Sequence, residues 1–222
     1  MSKAISLTQA AEMIPDGATI MVGGFLAVGS PRRLLQELAR QGRKHLTLIT
    51  NDTSKPGVMG NALLIENKCV DHLIASHIGT NPETQRQMIA GELKVELCPQ
   101  GSLVERIRAG GAGLGGVLTP TGVGTVAAEG KREMEIDGKK FLLESPLKAD
   151  FALIGARRSD YRGNLDYALT ARNFNPLMAL AGATVIAEPN EIVPIGVIPP
   201  DEVVTPHVLV DYIIERRQSN GR

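Results

Sequence analysis

Only two cysteines, Cys69 and Cys98, occur in this 222-residue chain, far apart and without a C-x-x-C spacing. That excludes a disulfide-stapled fold and offers no thiol-redox or zinc motif; both are read as buried thiols in apolar, strand-like runs. Net charge is missing as well, since 24 Lys plus Arg balance 24 Asp plus Glu. No broad field of one sign therefore points to nucleic acid or to an anionic membrane surface. No run approaches the roughly 18 apolar residues of a spanning helix. The opening MSKAISLTQAAEM holds no apolar core of a secretory signal, so a cytoplasmic location is expected. G-x-S-x-G is absent, which removes support for an α/β-hydrolase triad. G-x-x-x-x-G-K-[ST] is absent too, which removes a Walker-type phosphate cradle. His72 and His77 are five apart, a spacing that suits neither one helix face nor one strand face, and no metal site is expected. His77 ends a strand, where parallel sheets place ligands, and remains a candidate for lining a site.

What is present reads as one domain over residues 1–222, with 43% apolar and 22% charged residues, long enough to bury a sizeable core. Ser6-Leu7-Thr8-Gln9 is a capping box that opens a helix, closed by Pro15-Asp16-Gly17. Residues 18–22 form a buried strand. Ser30 and Pro31 then start a helix that Gly42 stops. Further strands are expected at 46–50, 70–76 and 93–98, with Asn81-Pro82 opening one intervening helix and Ser102 with Glu105 capping the next. Strands alternating with helices of about ten residues imply an α/β fold: an open, mostly parallel sheet with helices on both faces. Residues 110–125, rich in Gly and Thr, read as a long irregular segment. Asp137-Gly138 within 132–144 signals a small β-hairpin appendage. Strands at 150–156, 183–188 and 207–214 and a short helix from Asn175-Pro176 complete the pattern.

Gly111-Ala112-Gly113-Leu114-Gly115-Gly116 formally matches G-x-G-x-x-G. A dinucleotide fingerprint must follow a strand and open a helix, whereas this one follows a helix and runs into Thr119-Pro120, so it is rejected. Gly23-Gly24, in IMVGGFLAVGSP (20–31), stands in the better context of strand, turn and helix. Exposed amides ahead of the helix at Pro31 suit a phosphate or a carbonyl oxygen; a tight turn with no ligand explains the glycines equally well. Glu129, Glu133 and Glu135 read as solvated hairpin charges. Gln100, after Pro99 at the end of a strand, is placed to donate to a developing oxyanion or simply to cap its turn.

Longer segments carry a resemblance. DGATIMVGGFLAVGSP (16–31), GTNPETQRQMIAGELKVELCPQGSLVERIRAGGAGLGG, PTGVGT, HIGTNPE and TARNFNP (170–176) together resemble the α subunits of the family I CoA-transferases, over essentially the whole chain. HIGTNPE and TARNFNP point to the bacterial acetate/acetoacetate (butyrate–acetoacetate) branch. The resemblance implies the sheet fold shared with sugar-phosphate isomerases. It also implies transfer of CoA from an acyl-CoA to a free carboxylate through a glutamyl-CoA thioester. The glutamate of that family lies in a Ser-Glu-Asn-Gly stretch of the β half, and this chain has none: Glu66-Asn67 runs into Lys68, and Glu144 into Ser145-Pro146. The implied partner is therefore a β subunit that carries the nucleophile, in a heterotetramer of two α and two β chains. Coenzyme A and acyl-CoA enter as substrates, and no permanently bound cofactor is expected. By the same resemblance Gly23, Gly24, Phe25, Leu26, Ala27, Val28 and Gly29 contact coenzyme A, Gln100 supports the acyl oxygen, and Asn51 touches the acid. A methyl at Gly24 is then expected to intrude on the thioester's space, and Gly24→Val to impair turnover far more than folding. Transfer from succinyl-CoA to a 3-oxoacid or 3-oxoadipate is the nearby alternative, and a dicarboxylate enzyme should show an extra cation in its acid pocket. A non-enzymatic sugar-phosphate-binding domain on the same fold is the alternative from another class.

Overall fold

In the computed structural model, which describes residues 3–215, strand and helix alternate through the first half of the chain. The order is β1 (Ala4–Ile5), α1 (Leu7–Glu12), β2 (Thr19–Val22), α2 (Arg32–Gln41), β3 (Leu46–Asp52) and α3 (Ala62–Glu66). Then come β4 (Val70–His77), α4 (Pro82–Ile89), β5 (Lys94–Leu97) and α5 (Gln100–Ala112). A small antiparallel unit follows, made of β6 (Val117–Thr119), β7 (Arg132–Ile136) and β8 (Lys139–Glu144). The chain returns through β9 (Ala149–Asp160), β10 (Leu165–Asp166), α6 (Asn175–Ala181), β11 (Gly182–Val193) and β12 (Tyr212–Ile214). The main sheet has the order β1-β12-β11-β9-β2-β3-β4-β5, parallel throughout, with β10 added antiparallel to β9.

Both faces of this sheet are covered because its strands are apolar on both sides. On β2, Ile20 and Val22 join the core under α1, α2 and α3, built with Ala10, Ile14, Leu34, Leu35, Leu38, Leu64 and Ile65. Met21 points the other way, into the core with Leu103 and Ile107 of α5 and Met178 of α6. Cys69 and Cys98 are buried free thiols, and burial pushes both up from the usual thiol value.

Several local signals hold. Ser6 Oγ accepts from Gln9 N at 3.2 Å while Gln9 Oε1 accepts from Ser6 N at 3.0 Å, closing the capping box. Asn81 caps α4 through the amides of Glu83 and Thr84. Asp137 and Gly138 take the left-handed backbone (φ 50° and 73°) that a type I′ turn requires.

Others do not. Ser30 makes no cap: α2 starts after Pro31, and its first amides go to Glu188 of β11, with Arg33 N at 3.1 Å and Leu34 N at 2.8 Å from the carboxylate. Ser102 lies inside α5, which opens at Gln100 after Pro99, and its buried hydroxyl has no partner among the described residues. The glycine-rich segment is not irregular from its start, since α5 continues to Ala112 and β6 converts the hairpin into a three-stranded sheet. The strand expected over 207–214 is confined to β12, because His207–Leu209 form a 3₁₀ turn.

Beyond the end of β9, Asp160 accepts from the amides of Arg162, Gly163 and Asn164, each at 2.9 Å, and from Asn164 Nδ2 at 2.7 Å. Asp166 accepts from Arg157 Nε at 3.0 Å and Arg158 Nε at 2.7 Å. Burial pushes both carboxyls up, but these donors outweigh it and hold each below the ordinary value of 3.8. Their stabilisation is therefore complete above the unfolded value and is lost as pH falls through the lowered folded values. Asp160→Asn combined with Asp166→Asn is expected to flatten the urea-midpoint profile between about pH 5 and pH 2. An acid limb as steep as that of the unaltered chain contradicts this linkage.

Candidate active site

At the carboxyl end of β2 the chain enters the 23–29 segment. An ideal Cβ on Gly23 would lie 1.7 Å from Asn175 Oδ1, and one on Gly24 (φ +123°) would lie 2.0 Å from Ser30 Oγ. Both glycines are thus demanded by close approach, as their sequence context indicated. What approaches is the chain's own side chains. The space at Gly24 belongs to Ser30, which corrects the expectation that a methyl there meets a thioester and spares folding.

The loop's amides are mostly engaged too. Gly23 N donates to Leu153 O at 3.0 Å, Gly24 N to Asn173 Oδ1 at 3.0 Å, and Leu26 N to Asp52 Oδ2 at 2.9 Å. Phe25 and Val28 bond each other's backbone across a tight turn, with Leu26 and Ala27 in left-handed conformations (φ 47° and 67°). Ala27 and Gly29 are the members of the segment whose amides lack a partner among the described residues. Two of the first α2 amides, those of Arg33 and Leu34, are taken by the Glu188 carboxylate. Of the backbone just ahead of that helix, the amides of Ala27 and Gly29 are the ones left to meet an anion.

Side chains from β3 and α5 face this loop. Asn51 and Asp52, each 2% exposed, end β3. Asn51 Nδ2 donates to Asp52 Oδ2 at 2.8 Å, while Asn51 Oδ1 accepts from Gln100 Nε2 at 2.6 Å and from Ser76 Oγ at 3.2 Å. Gln100 therefore does not cap its own turn; it turns its amide towards β3. An open cleft of about 470 Å³ lies over these groups, lined by Phe25, Asn51, Gln100, Asn173 and Thr170, with Val104, Phe174 and Leu177 as an apolar wall. Arg108 stands at its rim, half-exposed and paired with Glu105 at 2.9 Å.

Of the residues singled out in the sequence, the structure brings Phe25, Asn51 and Gln100 together in this cleft. Gly23, Gly24, Leu26 and Ala27 support the loop from behind. Gly29 lines a second cleft of about 470 Å³ with Arg32, Arg33, Arg157 and Glu188. Val28 is exposed beside it, outside both linings. His77 is exposed at the end of β4 and lines neither.

Three residues escaped sequence reasoning: Asp52, Asn173 and Asn175. Asn173 Nδ2 donates to Val28 O at 3.0 Å, and Asn175 Nδ2 to Gly29 O at 3.0 Å and Ala171 O at 2.8 Å, stitching the 168–175 segment to the glycine loop. Their signal was present in TARNFNP, where two asparagines flank a buried Phe174.

Residues 4–216 match the model of the coenzyme A transferase family, and the chain belongs to that family. It is 55% identical over 218 residues, 98% of this chain and 99% of the relative, to the acetate CoA-transferase subunit alpha of Escherichia coli K12. It is 48% identical, over 96% of this chain and 98% of the relative, to the acetoacetyl-CoA:acetate/butyrate CoA transferase alpha subunit of Clostridium acetobutylicum. The fold superimposes on the acyl-CoA transferase YdiF of E. coli O157:H7, solved as a thioester complex with CoA, with a TM-score of 0.85 at 22% identity. That match covers 97% of this chain and 47% of the YdiF chain, so the chain spans about half of that structure.

Gly24→Ala is expected to lower the melting temperature together with activity, at a cost of about 1–3 kcal/mol from overpacking and a left-handed backbone. Thermal unfolding of the variant checks this; an unchanged Tm with lost activity would return the position to ligand contact.

Proposed function

We propose that this chain is the α subunit of a short-chain acyl-CoA:carboxylate CoA-transferase and that the cleft over Asn51 and Gln100 seats the acyl group. One observation carries the reading. The cleft gathers amide donors beside an apolar wall, yet among the described residues none of its lining side chains is a carboxylate. The reading takes the nucleophilic glutamate from a second chain, and relatives named as alpha subunits fit that division.

The partner's carboxylate oxygen attacks the thioester carbonyl, and the carbonyl electron pair moves to oxygen. Gln100, with one Nε2–H engaged by Asn51, has a second to donate and stabilises that oxyanion. Collapse expels the CoA thiolate and leaves an acyl–glutamyl anhydride. The thiolate then attacks the glutamyl carbonyl, releasing the first acid as its carboxylate and forming glutamyl-CoA. An incoming carboxylate runs the same steps in reverse, so the thioester bond is conserved throughout.

Acetyl-CoA with acetoacetate or butyrate is the proposed substrate set. Val104, Phe174 and Leu177 give an apolar wall suited to a few methylenes. The rim cation that a dicarboxylate needs is already paired, Arg108 with Glu105.

The chain co-expressed with a β subunit bearing the glutamate should exchange CoA between acetyl-CoA and acetoacetate or butyrate. A panel including succinyl-CoA and 3-oxoadipate tests the choice, and absence of exchange with every short acid overturns the function. Gln100→Ala should lower kcat about 10²- to 10³-fold. Leu177→Ala with Val104→Ala should shift kcat/KM towards longer acids, about tenfold per added methylene.

A further inference from the structure

Asp52 has no cation partner among the described residues, although it is 2% exposed beside a site that handles carboxylates. Its two oxygens are committed to donors instead. Oδ2 accepts from Leu26 N at 2.9 Å and Asn51 Nδ2 at 2.8 Å, and Oδ1 accepts from Ser54 N at 2.7 Å. Three residues in the left-handed region lie at or next to these contacts: Leu26 (φ 47°), Ala27 (φ 67°) and Ser54 (φ 60°). Such backbone persists in non-glycine residues only where its surroundings over-determine it.

We infer that Asp52 is a positioning residue for the transfer: it holds both strained loops and fixes which end of the Gln100 amide faces the reacting carbonyl. The inference rests on the transferase reading above. A carboxylate only accepts, so Asn51 has to present its NH₂ group to Asp52. Asn51 Oδ1 then faces Gln100 and Ser76, as found at 2.6 Å and 3.2 Å. That oxygen also only accepts, so Gln100 has to present Nε2 and not Oε1. With one N–H of Gln100 spent on Asn51, the second is left to donate into the cleft. Replacing the carboxylate by an amide removes the polarity that sets this order. Asn51 and Gln100 can then both turn over, and Gln100 Oε1 would face the oxyanion and repel it.

The test uses the co-purified α/β pair. Asp52→Asn should lower kcat about tenfold or more while KM for acetyl-CoA changes less than about threefold, the split expected when only transition-state support is lost. In a Gln100→Ala background Asp52→Asn should lower kcat no further, because it acts through that amide. Hydrogen–deuterium exchange should speed up in at least one of the peptides covering 24–30 and 53–55, since an asparagine side chain keeps a single accepting oxygen for the Leu26 and Ser54 amides. Unchanged kcat, or losses that multiply in the double variant, overturns the inference. If Asp52→Asn fails to assemble, Asn51→Ala keeps the Leu26 and Ser54 amides on Asp52 and removes the relay together with one cleft-lining side chain; it should lower kcat at least to the Gln100→Ala level, and full activity there overturns the proposal. Should the unaltered pair transfer no CoA, the transferase reading falls, and unchanged exchange at the two peptides still overturns the clamp.

Discussion

Parallel strands that stop together leave backbone groups open at their carboxyl ends, and everything built above those ends depends on how the openings are filled. Here short polar side chains fill them. The Asp52 carboxylate takes the amides of Leu26 and Ser54, Asn173 takes that of Gly24, and Asn175 bonds Gly155, Gly29 and Ala171. Asn61 and Asn81 do the same one layer below, donating to Asp52 O at 3.0 Å and Thr53 O at 2.9 Å. Buried and mutually bonded, these groups act as a network in a poorly screening interior, where each bond is stronger than in water and each loss is costly. A rigid loop is the result, with its tip residues Phe25 and Val28 turned outwards.

This rigidity has a chemical counterpart. The cleft presents oriented amides and an apolar wall, which suit charge that develops on a carbonyl oxygen and a short hydrocarbon beside it. Among the described residues that line it, none is a carboxylate. In the proposed division, a preorganised receptor on one chain and a nucleophile on another would keep the reactive carboxylate away from substrate until both surfaces meet.

Local signals were legible in the sequence, and signals with distant partners were not. Ser6 with Gln9, Asn81 with Pro82, and Asp137 with Gly138 act within a turn of themselves, and each behaves as its spacing implies. Ser30 looked equally suited to its helix, but Glu188 arrives from 155 residues away and covers the amides of Arg33 and Leu34. Gly23 and Gly24 announced a close approach without announcing what approaches. Gln100 was singled out by its place after Pro99 and given its role by a family resemblance, which alone supplied Asn51; the hydrogen bond that joins them spans 49 residues and no local pattern encodes it. Asp52, on the same strand, carried no signal because both loops it holds are set by tertiary contact.

The packing of two sulfur atoms bears on how such a protein survives its own chemistry. Any thiolate within reach of an acyl-CoA can accept the acyl group or, under oxidation, form a mixed disulfide with the free coenzyme. Cys69 and Cys98 are both enclosed, and burial pushes both thiols up, against the thiolate. With no other sulfhydryl in the sequence, the chain turns no exposed thiol towards an acyl-CoA, and that one route of self-modification is closed by placement.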